Sequence, residues 1–248
     1  MIAIAPYQDT HDFEKLYLEL RKKEHRIYTD EEVAALPDIA ASHPLAAEWQ
    51  LRKLSCQRLV NYIQKKQSSE AAGKKLKILE IGCGNGWLSY QLSKMPGCSV
   101  TGTDINFTEL QQGAAVFQDQ SNLHFIYSHP RSEIFEKNQF DIIVFAASIQ
   151  YFPALKEIIN SALQLLKEDG EIHILDSHFY PESGLKAARQ RSLLYFEAAG
   201  FPAMADWYFH HCWEELTRFN YSVLHDPAGF FNRWVKSKNP FPWIRIKH

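Results

Sequence analysis

Apolar residues recur along this chain with two different periods, and the period switches repeatedly. Phe13, Leu16, Tyr17 and Leu20 fall at i, i+3, i+4 and i+7, which predicts a helix over residues 8–27. Thr29 followed by Glu32 is a capping-box pattern, and it starts a short helix that stops before Pro37. A longer helix begins near Ser42, His43 and Pro44, with serine or histidine as cap and proline in its first turn. Trp49, Cys56, Val60 and Ile63 mark its apolar face, and the polar stretch 68–73 breaks it. Leu76, Ile78, Leu79 and Ile81 then form a compact apolar run of the kind found in buried strands.

Trp87, Leu88 and Leu92 return to helical spacing until Pro96 and Gly97. From there strand and helix patterns follow one another. Strands are expected at Cys98 to Ile105, Leu123 to Tyr127, Phe140 to Ala147 and Glu171 to Asp176. Helices are expected at 107–118, at 154–168 (closed by Asp169 and Gly170), and at 182–199 before Gly200. The run from Phe140 to Ala147 is apolar without alternation, which predicts burial on both faces. This succession argues an α/β fold, a mostly parallel sheet with helices on both sides. Beyond Phe201 the chain is aromatic and less regular, with strand candidates at 217–226 and 240–248.

The turn between the first internal strand and its helix carries Gly82, Gly84 and Gly86 at alternate positions. Glycine there lets the backbone turn sharply and approach a ligand, and the helix start beyond it offers N–H groups. The dinucleotide pattern G-x-G-x-x-G fails in both registers, because Trp87 or Ser89 stands where its third glycine belongs. The segment ILEIGCGNGWLS instead resembles the first motif of class I S-adenosylmethionine (SAM)-dependent methyltransferases, E/D-x-G-x-G-x-G, with Glu80 two residues before Gly82.

That resemblance implies a doubly wound, mostly parallel seven-stranded sheet whose last two strands form an antiparallel pair at one edge. It implies an N-terminal helical cap or lid over residues 1–70 and a SAM-binding domain over 71–248, with an aromatic insertion at about 200–240. The glycine loop would hold the methionine end of SAM and Glu80 would meet its ammonium group. The implied cofactor-binding set is Glu80, Gly82, Cys83, Gly84, Gly86, Asp104, Ile105, His129 and Ala146. Asp104, at the end of the second strand, is placed to accept hydrogen bonds from vicinal ribose hydroxyls; the competing role is a helix cap, with Thr108 as rival cap. His129 stands where the family usually carries an adenine-reading aspartate. It would accept a hydrogen bond or stack on the base, or the backbone alone would read it. Tyr28, Trp49 and Arg52 are candidate cap contributors, and Arg52 could pair with the cofactor carboxylate.

Ser148, Gln150 and Tyr151 follow a strand's carboxyl end, where ligands of open α/β sheets bind, and are the substrate candidates. No residue is marked as catalytic; His178, His210 and His211 are candidate bases. Lys and Arg number 27 and Asp and Glu 29, so no whole-chain basic field invites nucleic acid. No metal-ligand spacing links the four cysteines, which read as cytoplasmic thiols. No apolar run is long enough to span a membrane. The expected activity is methyl transfer from SAM to an oxygen or nitrogen of a small molecule. A non-catalytic SAM-binding domain and an NAD(P)-dependent oxidoreductase are the rival readings.

Overall fold

A computed structural model of the chain describes residues 2–4, 11–69, 75–128, 134–229 and 239–248. The N-terminal part holds strand β1 (Ile2–Ile4) and helices α1 (His11–Lys23), α2 (Asp30–Ala35) and α3 (Ala46–Ser69). Strand β2 (Leu76–Ile81) and helix α4 (Trp87–Ser93) flank the glycine turn. β3 (Cys98–Asp104), α5 (Phe107–Val116), β4 (Leu123–Tyr127), β5 (Phe140–Ala146), α6 (Leu155–Leu165) and β6 (Leu166–Leu175) continue the winding. The C-terminal part contains β7 (Phe179–Tyr180), α7 (Leu185–Ala199), β8 (His211–Cys212), α8 (Trp213–Leu216), β9 (Asn220–His225) and β10 (Trp243–Lys247).

The main sheet has the order β1-β4-β3-β2-β5-β6-β10-β9. β10 runs antiparallel to both its neighbours, so the expected antiparallel edge pair is present. The seven strands anticipated from the resemblance are all there. An eighth is added: β1 pairs in parallel with β4, so the N-terminal part is not helix alone. Three residues with no helical stripe leave little periodicity to read.

Period-2 alternation in β2 splits its side chains between two cores. Leu76 and Ile78 pack with Leu59 and Ile63 of α3 and Leu88 and Leu92 of α4. Leu79 and Ile81 pack on the other face with Ile158, Ile159 and Ala162 of α6. Each such aliphatic side chain stabilises the fold by roughly 1.5–3 kcal/mol through burial, which explains why the central strands carry unbroken apolar runs.

Local signals behave as expected where they are self-contained. Thr29 and Glu32 form the reciprocal capping box of α2. Gly200 ends α7 in the left-handed conformation at φ 82°. The expected cap at Asp169 and Gly170 is not formed. α6 stops at Leu165, and β6 begins at once with Leu166 paired to Phe140. The register then shifts so that Ile142 meets Glu171, leaving Lys167 to Gly170 as a bulge. The buried Leu166 side chain would be lost from the core had the helix run on. α1 is also shorter than predicted, ending at Lys23. Its stripe joins neither face of the sheet: Phe13 and Leu20 pack with Phe196 of α7 and with Met204.

Candidate functional site

A cleft opens at the carboxyl ends of β2, β3 and β5, where the winding reverses between β3 and β5 around β2. It has two lobes that share Tyr17, Gly82, Gly84, Glu109 and Ala147. The larger is a cavity of about 320 Å³ reaching Asp104, Ile105, Tyr151 and Trp207. The smaller, of about 100 Å³, reaches Glu80, Cys83, Arg21, Arg26, Arg52, Trp49 and Ala146.

The glycine turn is shaped by close approach. Gly82, Gly84 and Gly86 all have positive φ, at 74°, 53° and 74°. A Cβ on Gly86 would lie 2.3 Å from the Phe125 ring, and one on Gly82 would lie 2.5 Å from Ser148 Cβ. A Cβ on Gly84 would project toward the Glu109 carboxylate in the cleft. Gly82 and Gly84 therefore line the cleft, whereas Gly86 serves packing beneath it. The N–H groups expected to be free at the start of α4 are already engaged: Trp87 N donates to Asn85 Oδ1, and Ser89 bonds the Glu80 carboxylate. The loop amides are engaged as well: Gly82 N and Cys83 N donate to Thr103 O, Gly84 N to Asp104 Oδ2 and Gly86 N to Cys83 O.

Three carboxylates crowd this end of the sheet. Glu80 is buried and accepts from the Ser89 hydroxyl at 2.5 Å. Burial pushes its carboxyl up to about 8, against the pull of Ser89. Asp104 accepts from Gly84 N at 2.7 Å and Asn106 N at 2.8 Å. Burial raises it too, although those amide bonds favour the charged form. Its backbone-tethered carboxylate lines the larger lobe, while Asn106, and not Thr108, caps α5. Glu109, in the first turn of α5, is pushed up to about 7 by burial and then by the nearby Asp104 charge. Nothing in the sequence pattern marked Glu109, because an acid in the first turn of a helix is an ordinary cap companion.

The arginines carry their own counterions. Arg26 and Arg52 both contact Glu48, whose carboxyl is drawn down to about 2 by them despite burial. Arg21 pairs with Glu24 and donates to the Tyr151 hydroxyl at 3.1 Å. Tyr28, Trp49 and Arg52 do come to the smaller lobe, with Trp49 Nε1 donating to the Tyr28 hydroxyl at 3.0 Å.

The wall opposite the sheet is aromatic. Phe13 lies 5.3 Å from Trp207 and 5.9 Å from Tyr151, and Tyr17 lies 5.8 Å from Tyr151. Phe152, Phe209 and Asp206 complete this side. Among the substrate candidates, Tyr151 lines the larger lobe. Ser148 also lines it, but its hydroxyl donates to Ile81 O at 2.6 Å and braces the loop. Gln150 is absent from the lining; its side chain donates to Ala147 O and accepts from Ser177 Oγ.

The three histidine candidates also lie away from the lining. His178 packs on Phe241 with ring centroids 4.6 Å apart, and His211 Nε2 is 3.1 Å from Ile149 O. His210 Nε2 sits 2.9 Å from Ser192 Oγ, and burial lowers its imidazole to about 4. Their aromatic surroundings hold them in the C-terminal packing. His129 lies outside the described residues. Among the described residues no group of His, Cys, Asp and Glu is arranged to hold a metal ion.

The cleft fits SAM on its own geometry. A tethered carboxylate faces the larger lobe, glycines bare the backbone at the junction, and the smaller lobe offers both carboxylate and guanidinium groups to an amino-acid end. Residues 78–170 match the family described as "Methyltransferase domain". A ubiquinone biosynthesis O-methyltransferase of Psychrobacter arcticus is 29% identical over 150 residues, covering 58% of this chain and 57% of that protein. Its counterpart in Actinobacillus pleuropneumoniae is 36% identical over 118 residues, covering 45% and 48% respectively. The chain thus spans about half the length of the curated relatives it matches. The solved structure of the CurJ carbon methyltransferase shares the fold, with a TM-score of 0.61 at 15% identity over 98% of this chain and 72% of that one.

Proposed function

We propose that this chain is a class I SAM-dependent methyltransferase, as the methyltransferase-domain match of residues 78–170 and the methyltransferase relatives support, and that it transfers the methyl group of SAM to an oxygen or nitrogen of a small-molecule acceptor. SAM, when bound, supplies the electrophilic sulfonium methyl. The remaining work falls to the chain. Asp104 takes the ribose hydroxyls, with Gly84 and Asn106 amides fixing its carboxylate beforehand. Ile105 and Phe209 offer apolar surface to the adenine, and Glu80 with the arginines of the smaller lobe surrounds the methionine end.

The acceptor enters from the aromatic side, between Phe13, Tyr17, Tyr151 and Trp207. That wall excludes water and favours a flat, mainly apolar molecule. The O-methyltransferase names of two relatives support an oxygen acceptor. Among the described residues no histidine lines the cleft, and the residues that do would act by positioning the nucleophile. We place the protein in the cytoplasm, since all four cysteines are free and buried. Among the described residues no helix is long and apolar enough to cross a membrane.

The observation that carries the reading is the Asp104 carboxylate tied to the Gly84 amide at the mouth of the cleft. Isothermal titration with S-adenosylhomocysteine tests it. The expected result is micromolar binding, weakened more than tenfold, or about 1.4 kcal/mol, by Asp104→Ala. A folded protein that binds NAD(P) but not S-adenosylhomocysteine would overturn it.

A further inference from the structure

We propose that the Glu109 carboxylate binds the cationic part of the cofactor, a role that rests on the SAM reading above. The two acids beside it at the strand ends already accept hydrogen bonds from the protein. Glu80 is held by Ser89, and both Asp104 oxygens receive backbone N–H bonds. Glu109 is held on one side only. Asn106 Nδ2 donates to its Oε2 at 3.0 Å, while Asn106 Oδ1 accepts from Glu109 N at 3.1 Å. Among the described residues its Oε1 receives no hydrogen bond, and it forms no ion pair.

Its position singles it out. Glu109 lines both lobes, so it stands where the adenosyl and methionyl halves of SAM would join. The carboxylate rests 3.3 Å from the place a Gly84 Cβ would take, directly beside the exposed loop backbone. The groups that face it are Asp104 at the end of β3, Cys83 of the loop, Glu14, Tyr17 and Arg21 of α1, and Arg52 of α3. The two arginines are committed to Glu24 and Glu48. A half-buried acid beside another acid, with no cation in contact, is completed by a cation from outside. SAM carries two, the sulfonium and the ammonium.

The geometry also makes binding proton-linked. The carboxyl is pushed up to about 7 in the unliganded protein, so a cation arriving near neutral pH expels a proton from the protonated fraction.

The test titrates wild type and Glu109→Gln with SAM, S-adenosylhomocysteine and 5′-methylthioadenosine, which has neither charge. Glutamine keeps the Asn106 contact and removes only the charge. The expected result is at least a tenfold loss for SAM, with methylthioadenosine within twofold of wild type. Loss for S-adenosylhomocysteine as well identifies the ammonium as the group recognised; retention identifies the sulfonium. Unchanged affinities for all three, or an equal loss for all three, overturns the proposal while the cofactor reading stands. A wild type that binds none of them overturns the cofactor reading and this inference with it. If the variant does not fold, wild-type titrations at pH 7 in two buffers of different ionisation enthalpy decide. Proton release with SAM exceeding that with methylthioadenosine and persisting in Glu80→Gln supports the proposal, and equal release, or an excess that Glu80→Gln abolishes, overturns it.

Discussion

Two sets of buried carboxylates lie on one sheet and behave oppositely. At the closed side, Glu171 of β6 is 2% exposed and surrounded by cations: Lys247 at 2.9 Å, Lys66 at 3.3 Å and Arg245 at 3.8 Å. The Tyr62 hydroxyl donates to it at 2.9 Å, and His173 lies at 3.4 Å. These partners hold its carboxyl well below the usual range in spite of burial. At the cleft, Glu80, Asp104 and Glu109 have no cation in contact among the described residues, and all three are pushed up. A fold that neutralises one buried acid with three cationic side chains has the means to neutralise others. Leaving three acids together at this end of the sheet is what the proposed cationic ligand would explain.

The largest effect that would break this contrast is at Glu171. Glu171→Gln should cost about 3 kcal/mol in urea denaturation, because its cations lose their common anion, while affinity for S-adenosylhomocysteine stays within twofold. A loss under about 1 kcal/mol would mean that the cluster behaves as a surface network. At Glu80 the sign reverses. Glu80→Gln should stabilise the ligand-free protein at pH 8.5 by on the order of 1–2 kcal/mol, since it removes a charge that burial disfavours, and should weaken cofactor binding.

The two regions also differ in their pH dependence. Glu80 and Glu109 have folded pKa values raised to about 8 and about 7. Their contribution is whole at pH values below the ordinary carboxylate range and is lost as pH rises through those values. Glu171, shifted the other way, contributes above the ordinary range and loses its contribution in acid. Ligand-free thermal melts should therefore fall from pH 5.5 to 8.5, and saturating SAM should flatten that slope. A slope indifferent to SAM would separate the acids from the ligand. The smallest effect is expected at the rim. Trp207 is 41% exposed and stands on the acceptor side, so Trp207→Ala should change stability by less than about 0.5 kcal/mol and leave cofactor affinity within about twofold in the same titration.

Much of this site was legible because it is local. The apolar run of β2, the alternate glycines and an acid at the end of β3 are neighbours in sequence, and their spacing translates directly into a strand, a turn and a strand end. The residues that escaped notice reach the cleft from far away. Phe13 and Tyr17 belong to a stripe that announces a helix and not its destination. His178, His210 and His211 drew attention as titratable side chains, yet aromatic packing takes them elsewhere.

The sequence by itself determined the α/β winding, the glycine turn and the acid beside it, because periodicity and backbone freedom act over a few residues. Only the tertiary structure decided which acids meet cations and which are left without one among the described residues. Charge compensation depends on distance in space: Lys66, Glu171 and Lys247 meet from far apart in the sequence, whereas among the described residues Glu109 Oε1 receives no hydrogen bond although Asp104 is five positions away.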